Sequence, residues 1–422
     1  MRSAQQKLPQ DAARWVILAA TCIMGFMVVG SRSTLGNFLK TIIADLDWDR
    51  GTISFVVAIN LWLSGLLQPF AGHLMDRFGA RGLFAASLAL YGLGFAASGL
   101  TNSLAYLLVI YGIVLGTASA GVSMTLTNAL VAKSFQQGRG LAIGMNNAGA
   151  ALGQLSLVYL SYLLLQSYGW RLSYIYLGAA VLVVALPMAL LIPGRGGSPD
   201  ASASGPRSRP LLSGPLETRS WSQALRSAPL WQINAGYFVC GMTVALFSTH
   251  LIPFVTDRGL SPATAAKAFG LMTGVSVLGS LLAGAVSDRL GRKNVLGLAY
   301  LIRAGTFALL LLWQHELALY VFAVVGGLVW LATPPPVMAL TGEIYGMRSL
   351  GTLGGISLLA HQIGGGASVW LAGVVHDLTG SYDISFALAI VALLGAALMS
   401  FTIAERRYSV RYMAQAQPTA GN

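Results

Sequence analysis

The chain has 422 residues, of which 55% are hydrophobic and only 9% are charged. So few charged groups cannot cover the surface of a soluble domain, which excludes soluble enzymes and soluble binding modules. The formal net charge of +12 would suit a nucleic-acid partner, but the distribution of the cations argues against one, as shown below.

Twelve apolar segments have the length of about 20 residues that crosses a bilayer. They lie near 15–37, 52–72, 82–100, 104–130, 140–163, 172–193, 230–252, 264–285, 294–314, 318–341, 350–373 and 383–403. The sequence therefore predicts an all-α polytopic membrane protein with twelve transmembrane helices, numbered helix 1 to helix 12.

The cations fall mainly on one side of these helices. If the N-terminus is cytoplasmic, the inner loops and tails hold nineteen Lys and Arg residues, and the outer loops hold five. This asymmetry is the positive-inside pattern of membrane proteins. It predicts a multi-pass protein of the inner membrane with both termini in the cytoplasm, and it leaves no reason to expect a nucleic-acid partner.

One long polar stretch divides the apolar pattern. Residues 194 to 228 are rich in Gly, Ser, Pro and Arg and cannot form a buried core. We expect a six-helix lobe over 1–193, a cytoplasmic linker over 194–229, a second lobe over 230–404 and a cytoplasmic tail over 405–422. Residues 222 to 226 are compatible with a short interfacial helix.

A ten-residue motif occurs twice, 212 positions apart. GHLMDRFGAR at 72–81 returns as GAVSDRLGRK at 284–293, and each copy follows an apolar segment. The repeat indicates a duplicated helical bundle, and two such repeats can rock about a shared site to give alternating access. The pattern favours a transporter that works as a monomer over an enzyme.

The two loops resemble the signature loop between helices 2 and 3, and between helices 8 and 9, of the major facilitator superfamily. The resemblance implies conformational roles for the charged residues of both loops, with Asp76 and Asp288 as latch elements. The alternative for the cations is anchoring at the inner leaflet. The gating residues we expect are Asp76, Arg77, Arg81, Asp288, Arg289 and Arg292.

Further stretches resemble the bacterial branch of this superfamily that is similar to monocarboxylate transporters and oxalate/formate antiporters. They are LDWDRGTIS at 46–54, RGLAIG at 139–144, YGWR at 168–171, HLIPFVTDRGLS at 250–261, GEIYGMRSLGTLGG at 342–355, HQIGGG at 361–366 and HDLTGSYD at 376–383. The resemblance implies a small organic anion as substrate. The chain departs from the branch at Ser280, where an arginine of helix 8 often binds the substrate carboxylate.

Ionisable groups inside the membrane are costly and point to function. Arg32 lies on helix 1, about 9 Å outward of its midpoint, and a guanidinium binds a carboxylate in bidentate fashion. We expect Arg32 to anchor the substrate; the alternative is snorkelling to the outer interface. Aligning Cys22 with Cys240 places His250 opposite Arg32, which makes His250 a second candidate.

Other polar residues lie on helices expected to line the cavity. His361 can carry a coupled proton, because histidine titrates near neutral pH, or it can bond to another helix. The same two readings, cavity or interhelical bonding, apply to Asn147, Gln154, Trp330 and Gln362. Near the middle of helix 9, Arg303 is expected to support packing or to meet lipid headgroups; a substrate role is the alternative. Three prolines at 334–336 interrupt helix 10.

No Asp or Glu lies in the interior of a predicted helix, which makes carriers that use an intramembrane carboxylate less fitting. Metal-ligand spacing, phosphate-binding loops and nucleophile elbows are missing from the sequence, so we expect neither catalysis, nor a metal, nor a cofactor. We expect a secondary transporter of a small organic anion, by proton symport or anion exchange. A carrier or exporter of a larger neutral or weakly acidic metabolite, such as a vitamin, an aromatic compound or a drug, is the alternative.

Overall fold

The computed structural model describes residues 10–135, 139–193, 215–216, 221–346, 350–409 and 412. Within these ranges the chain is almost entirely helical and contains no strand. Eleven continuous helical stretches are long and apolar enough to cross a membrane. One of them, Ala142–Leu191, contains Gly169 with φ 74° and ψ 172°. The positive φ suits glycine and ends one helix where the next begins, so the predicted count of twelve is confirmed.

The first six spans occupy the first half of the chain. Their helical elements are Gln10–Arg32 and Leu35–Leu46 (helix 1), Arg50–Phe78 (helix 2), Ala80–Ser98 (helix 3), Leu104–Leu107, Leu108–Val114, Leu115–Gly121 and Met124–Ser134 (helix 4), then Arg139–Ala180, Val181–Ala185 and Leu186–Leu191 (helices 5 and 6, divided at Gly169).

The second half contains six further spans. They are preceded by the short helix Trp221–Ala224, close to where the sequence suggested one. The elements are Ala228–Asp257 (helix 7), Pro262–Leu290 (helix 8), Arg292–Leu312 (helix 9), Glu316–Val321, Phe322–Gly326, Gly327–Trp330 and Pro334–Tyr345 (helix 10), Leu350–Thr379 (helix 11), Asp383–Thr402 (helix 12) and the terminal turn Glu405–Tyr408.

The chain forms two compact units. Unit 1 comprises Met1–Leu46 and Leu66–Arg207, and unit 2 comprises Asp47–Gly65 and Ser208–Asn422. Helix 2 therefore begins in unit 2 and ends in unit 1. The lobe boundaries drawn from the sequence stay a prediction, and most of the predicted linker lies outside the described residues.

Glycines allow helices to pack closely within each unit. In unit 1, a Cβ at Gly153 of helix 5 would collide with the Phe26 carbonyl of helix 1. In unit 2, a Cβ at Gly241 of helix 7 would collide with the His361 carbonyl, and one at Gly364 of helix 11 with the Phe238 carbonyl. These glycines let the paired helices approach closely, as small residues do in membranes.

Candidate functional site

Arg32 lies at an interruption of helix 1 in unit 1. The first element ends at Arg32, and the next begins at Leu35. The Ser33 hydroxyl donates to the Val29 carbonyl oxygen at 3.0 Å, and the Thr34 hydroxyl donates to the Ser31 carbonyl oxygen at 2.8 Å. Such side-chain bonds compete with the regular helix. They accompany a break that leaves the half-buried Arg32 at a helix end.

Gln154 reaches this break from helix 5. Its Nε2 donates to the Ser33 hydroxyl at 3.0 Å, so it contacts the residue next to Arg32. Arg32 also lies within electrostatic range of the buried hydroxyls of Tyr91 and Tyr111. The structure thus brings two of the predicted binding residues to one place and adds two tyrosines that the sequence did not single out.

Asn147 belongs to an amide network between helices 4 and 5 of unit 1. Its Oδ1 accepts from Asn128 Nδ2 at 3.0 Å, and Asn146 Nδ2 donates to Asn128 Oδ1 at 2.7 Å and to Thr127 Oγ1 at 3.1 Å. Asn146 Oδ1 is buried without a partner in the described structure. The network links the two helices, and that unused acceptor leaves it able to bind one more donor.

Trp330 and Arg303 meet in unit 2 where helix 10 is interrupted. The fully buried Arg303 guanidinium donates to the carbonyl oxygens of Val329 and Trp330, both at 2.7 Å. It also donates to Thr243 Oγ1 at 3.2 Å and lies 5.2 Å from the centre of a Trp330 ring. These contacts agree with the packing role expected for Arg303, and they give Trp330 a buried place beside it.

His361 and Gln362 lie side by side on helix 11 and are half-buried. The His361 ring is 4.8 Å from that of Tyr237, and its Nδ1 is buried without a hydrogen-bond partner among the described residues. Gln362 packs closely against Gly65 of helix 2, because a Cβ added to Gly65 would lie only 2.8 Å from the Gln362 Cβ. His361 therefore keeps a nitrogen free for a proton or a ligand.

His250 is fully buried near the end of helix 7. Its Nδ1 is 3.0 Å from the Tyr382 hydroxyl and its Nε2 is 3.0 Å from the Val369 carbonyl oxygen. Both nitrogens are used inside unit 2, which favours a structural role over the predicted substrate contact in this conformation.

The tyrosine that bonds His250 also contacts a charged cluster missed by the sequence reasoning. Arg50, at the start of helix 2, bonds the Tyr382 hydroxyl at 2.9 Å and the Asp257 carboxylate at 2.8 Å. Asp377 accepts from the backbone amides of Arg50 and Gly51. The cluster residues Arg50, Asp257 and Asp377, and the tyrosine Tyr382, all lie in motifs that carried the family resemblance. The sequence alone gave no reason to expect positions 50, 257 and 377 to be in contact.

Two groups near this cluster have shifted pKa values. Burial raises the pKa of the Tyr382 hydroxyl to about 12, against the opposing effect of the Arg50 guanidinium. The pKa of the Asp49 carboxyl is lowered, because the hydrogen bonds from the side chain and the backbone of Thr52 outweigh a partial burial that acts to raise it. Tyr382 is thus a neutral hydroxyl at physiological pH, and Asp49 is a charged cap of helix 2.

The loop between helices 8 and 9 contains the second copy of the repeated motif. Arg292 bonds Asp288 at 2.6 Å and Glu343 at 3.2 Å. Glu405, which is 1% exposed, accepts from the backbone amides of Arg292 and Lys293 at 2.8 and 3.0 Å. Asp288 therefore pairs with a cation rather than capping a helix, and Glu405, which the sequence placed in the tail, caps helix 9.

Of the remaining gating candidates, Arg77, Arg81 and Arg289 are exposed, and the Arg77 guanidinium lies 5.3 Å from the centre of the Phe78 ring. The Asp76 side chain lies outside the described part of the chain. The exposure fits the anchoring alternative as well as a gating role, so the latch role stays a prediction.

Comparisons with known proteins bear on the whole chain. The profile of the Major Facilitator Superfamily matches residues 21–280 and 236–413. An uncharacterized MFS-type transporter of Bacillus subtilis (strain 168), YcxA, is 27% identical over 387 residues, which cover 90% of this chain and 92% of the relative. Monocarboxylate transporter 13 of Rattus norvegicus is 25% identical over 406 residues, covering 94% and 90%.

Solved structures show the same fold. A bacterial homolog of the human lysosomal transporter Spinster, in an inward-facing and occupied conformation, superimposes with a TM-score of 0.73 at 16% identity, over 96% of this chain and 99% of that chain. The nucleoside transporter NupG (D323A mutant) gives 0.71 at 12% identity, over 93% and 100%. At these identities the likeness concerns the fold alone.

Proposed function

The chain belongs to the major facilitator superfamily, and from that premise we propose that it is a secondary active transporter of a small organic anion. A monocarboxylate is the substrate class we favour. Transport proceeds by alternating access of two repeats about a shared site, as proton symport or as anion exchange. The protein works as a monomer in the inner membrane, with both termini in the cytoplasm.

The observation that carries this proposal is the sign of the charges inside the membrane. In the described spans the carboxylates lie at helix ends, whereas Arg303 lies inside Arg292–Leu312 and Arg32 at the interruption of helix 1. A cation in a medium of low dielectric constant attracts an anion much more strongly than it does in water. The field in the middle of both units therefore favours an anionic substrate.

Arg32 is the residue we propose as the anchor. It is half-buried, and it is the last residue of the first element of helix 1. Its guanidinium stays charged at any working pH and presents a planar fork that matches a carboxylate. Gln154, one residue away through Ser33, supplies amide hydrogen bonds that would orient the bound anion.

Arg303 is less suited to this role, although it is the more deeply buried cation. Two of its bonds go to the carbonyls of Val329 and Trp330, and others go to Thr243 and to the Cys240 sulfur. Its donors are largely used in holding helix 10, so substrate binding there would have to break them. Its charge still adds to the field that attracts an anion.

Ser280 keeps the second candidate function open. This half-buried residue stands where the monocarboxylate-like branch often has an arginine. A substrate bound without that second cation would be a larger neutral or weakly acidic metabolite. The relatives named monocarboxylate transporters support the first proposal, and their low identity leaves room for the second.

A ligand panel distinguishes the two. The detergent-purified protein is unfolded by heat with lactate, pyruvate, oxalate, or bulkier neutral compounds, beside Arg32→Ala and the exposed-arginine control Arg226→Ala. A ligand at 100 times its dissociation constant adds about 2.7 kcal/mol of stability. Stabilisation by carboxylates that is lost only in Arg32→Ala supports the anion transporter. Stabilisation by neutral compounds alone, unchanged in Arg32→Ala, overturns it in favour of the second candidate.

A further inference from the structure

The first turn of helix 2 is held inside unit 2 by two carboxylates. Asp257, at the end of helix 7, bonds the Arg50 guanidinium through both oxygens, at 2.8 and 3.3 Å. Asp377, at the end of helix 11, accepts from the amides of Arg50 and Gly51 at 3.0 and 2.5 Å. An anion at a helix N-terminus stabilises that end. Helix 2 is thus fastened by its side chain to helix 7 and by its backbone to helix 11.

A histidine shares one of these carboxylate oxygens. His376 Nε2 lies 3.4 Å from Asp257 Oδ2, the oxygen that accepts from Arg50 Nη1. The side chains of Arg50 and His376 are 14% and 15% exposed. His376 is therefore mostly buried against an ion pair, yet protons of the solvent can still reach it.

Every ionisable neighbour of His376 in the cluster has a defined position. The Tyr382 ring is tilted by 43° to the His376 ring, with 4.6 Å between their centres, and its hydroxyl bonds both Arg50 and His250. Asp49 caps helix 2 through Thr52. The charged or titratable groups near His376 are Arg50 from helix 2, His250 and Asp257 from helix 7, Tyr382 from the connection between helices 11 and 12, and Asp377 from its own helix. Asp49, just before helix 2, interacts with Asp377.

We propose that His376 is a proton-binding site whose protonation releases the first turn of helix 2 from helices 7 and 11. The released state is the one in which the first turn of helix 2 is free to move away from helices 7 and 11. The proposal rests on the proposed function, because it makes this release the step at which a proton enters the transport cycle. The site is separate from the anion site that we place at Arg32.

The effect of protonation on helix 2 follows from the Asp257 oxygen that Arg50 and His376 share. With a neutral His376, the Asp257 carboxylate balances one cation, Arg50. A proton on Nε2 adds a second cation beside the first, in a mostly buried cluster, while Asp377 is occupied by the helix 2 amides. Burial penalises the added charge, and like charges nearby repel. Both effects disappear when the first turn of helix 2 moves away, so acidification shifts the equilibrium towards release.

Backbone amide exchange measures the release of the first turn of helix 2 directly, and it requires no knowledge of the substrate. The full chain in lipid nanodiscs is exposed to deuterium at pH 7.5 and pH 5.5, on either side of the usual titration of histidine. After correction for the intrinsic pH dependence of exchange, the amides of residues 50–58 should exchange about tenfold faster at pH 5.5, since opening free energies set exchange rates. The amides of Arg292 and Lys293, capped by Glu405, serve as an internal control and should not change.

Two variants complete the test. His376→Gln cannot take up a proton and should exchange equally slowly at both pH values. His73→Gln, an exposed control on helix 2, should behave as wild type. A wild type without the pH effect, or a His376→Gln variant that keeps it, overturns the proposal. If His376→Gln does not fold, the wild-type comparison with residues 292–293 decides. Uptake of labelled lactate distinguishes the two proposals. If lactate is not taken up but the pH effect on exchange is present, only the transport proposal is refuted. If uptake depends on Arg32 but the pH effect is missing, only the proton-site proposal is refuted.

Discussion

The guanidinium of Arg303 bonds the carbonyl oxygen of Trp330, the residue at which the third element of helix 10 ends. The next element begins at Pro334, and prolines supply no amide to the preceding turn. Arg303 therefore bonds the Trp330 oxygen, whose usual partner four residues on would be the amide that Pro334 lacks. It adds a second donor to the Val329 oxygen, which also accepts from the Ala332 amide at 3.4 Å. An arginine in the middle of a membrane helix serves here as a helix cap, supplied by a neighbouring helix.

Removing this cap should destabilise unit 2. In Arg303→Met the Trp330 carbonyl loses its side-chain donor, and an unpaired buried group costs about 1–3 kcal/mol. The Val329 carbonyl keeps a bond from the Ala332 amide at 3.4 Å. We expect a clear fall of the unfolding temperature of the purified protein. Arg303→Lys keeps the charge but lacks the planar guanidinium, so its unfolding temperature should lie between those of Arg303→Met and wild type. An Arg303→Met protein as stable as wild type would contradict the capping role.

The glycines of the helix 7 and helix 11 contact provide a second test. Gly241→Ala should destabilise the protein, because the added methyl would collide with the His361 backbone. Gly395→Ala on helix 12 has open space around the same atom and should be neutral, or more stable by about 0.5–1 kcal/mol. Thermal unfolding of the two variants measures the contrast. Equal effects would argue against the described packing of helices 7 and 11.

Glu405 should matter although it follows the last membrane helix. Glu405→Gln removes a charge that faces the N-terminus of helix 9 and weakens two amide contacts, at a cost of about 0.5–2 kcal/mol. The expected signs are a lower unfolding temperature and faster exchange of the amides of residues 292–296. Glu316→Gln, a substitution of an exposed carboxylate, is the matched control and should leave both unchanged.

Asp49 predicts a dependence of stability on acid pH. Its folded pKa is lowered, so its contribution is present above the unfolded value of about 3.9 and is lost as the pH falls through the folded value. The difference in unfolding temperature between wild type and Asp49→Asn should be constant from pH 7 to about pH 5 and shrink below the unfolded value. A difference that grows with acid would show that the shift has the opposite sign.

Much of the fold could be predicted from the sequence, because apolar length alone selects membrane helices. The turn at Gly169 falls between the predicted segments 140–163 and 172–193, where the polar and glycine-containing YGWR motif interrupts the apolar pattern.

The charged contacts could not be predicted, because they join residues far apart in the chain through the rotation of each helix. Arg50 and Asp257 are separated by 207 positions, and no periodicity links them. His250 was expected at the substrate from its alignment with Arg32, but its neighbours Tyr382 and Val369 take both nitrogens. Sequence identified which polar residues are unusual, and only packing shows which of them are already paired.

The central claim is that Arg32 anchors an anionic substrate, and transport itself tests it most directly. Uptake of labelled lactate, pyruvate and oxalate is measured in proteoliposomes with wild type, Arg32→Ala and Arg226→Ala. Losing a charge-assisted hydrogen bond worth about 1.5–3 kcal/mol should reduce uptake of the preferred anion at least tenfold in Arg32→Ala, with Arg226→Ala unchanged. Full uptake by a folded Arg32→Ala protein would contradict the account.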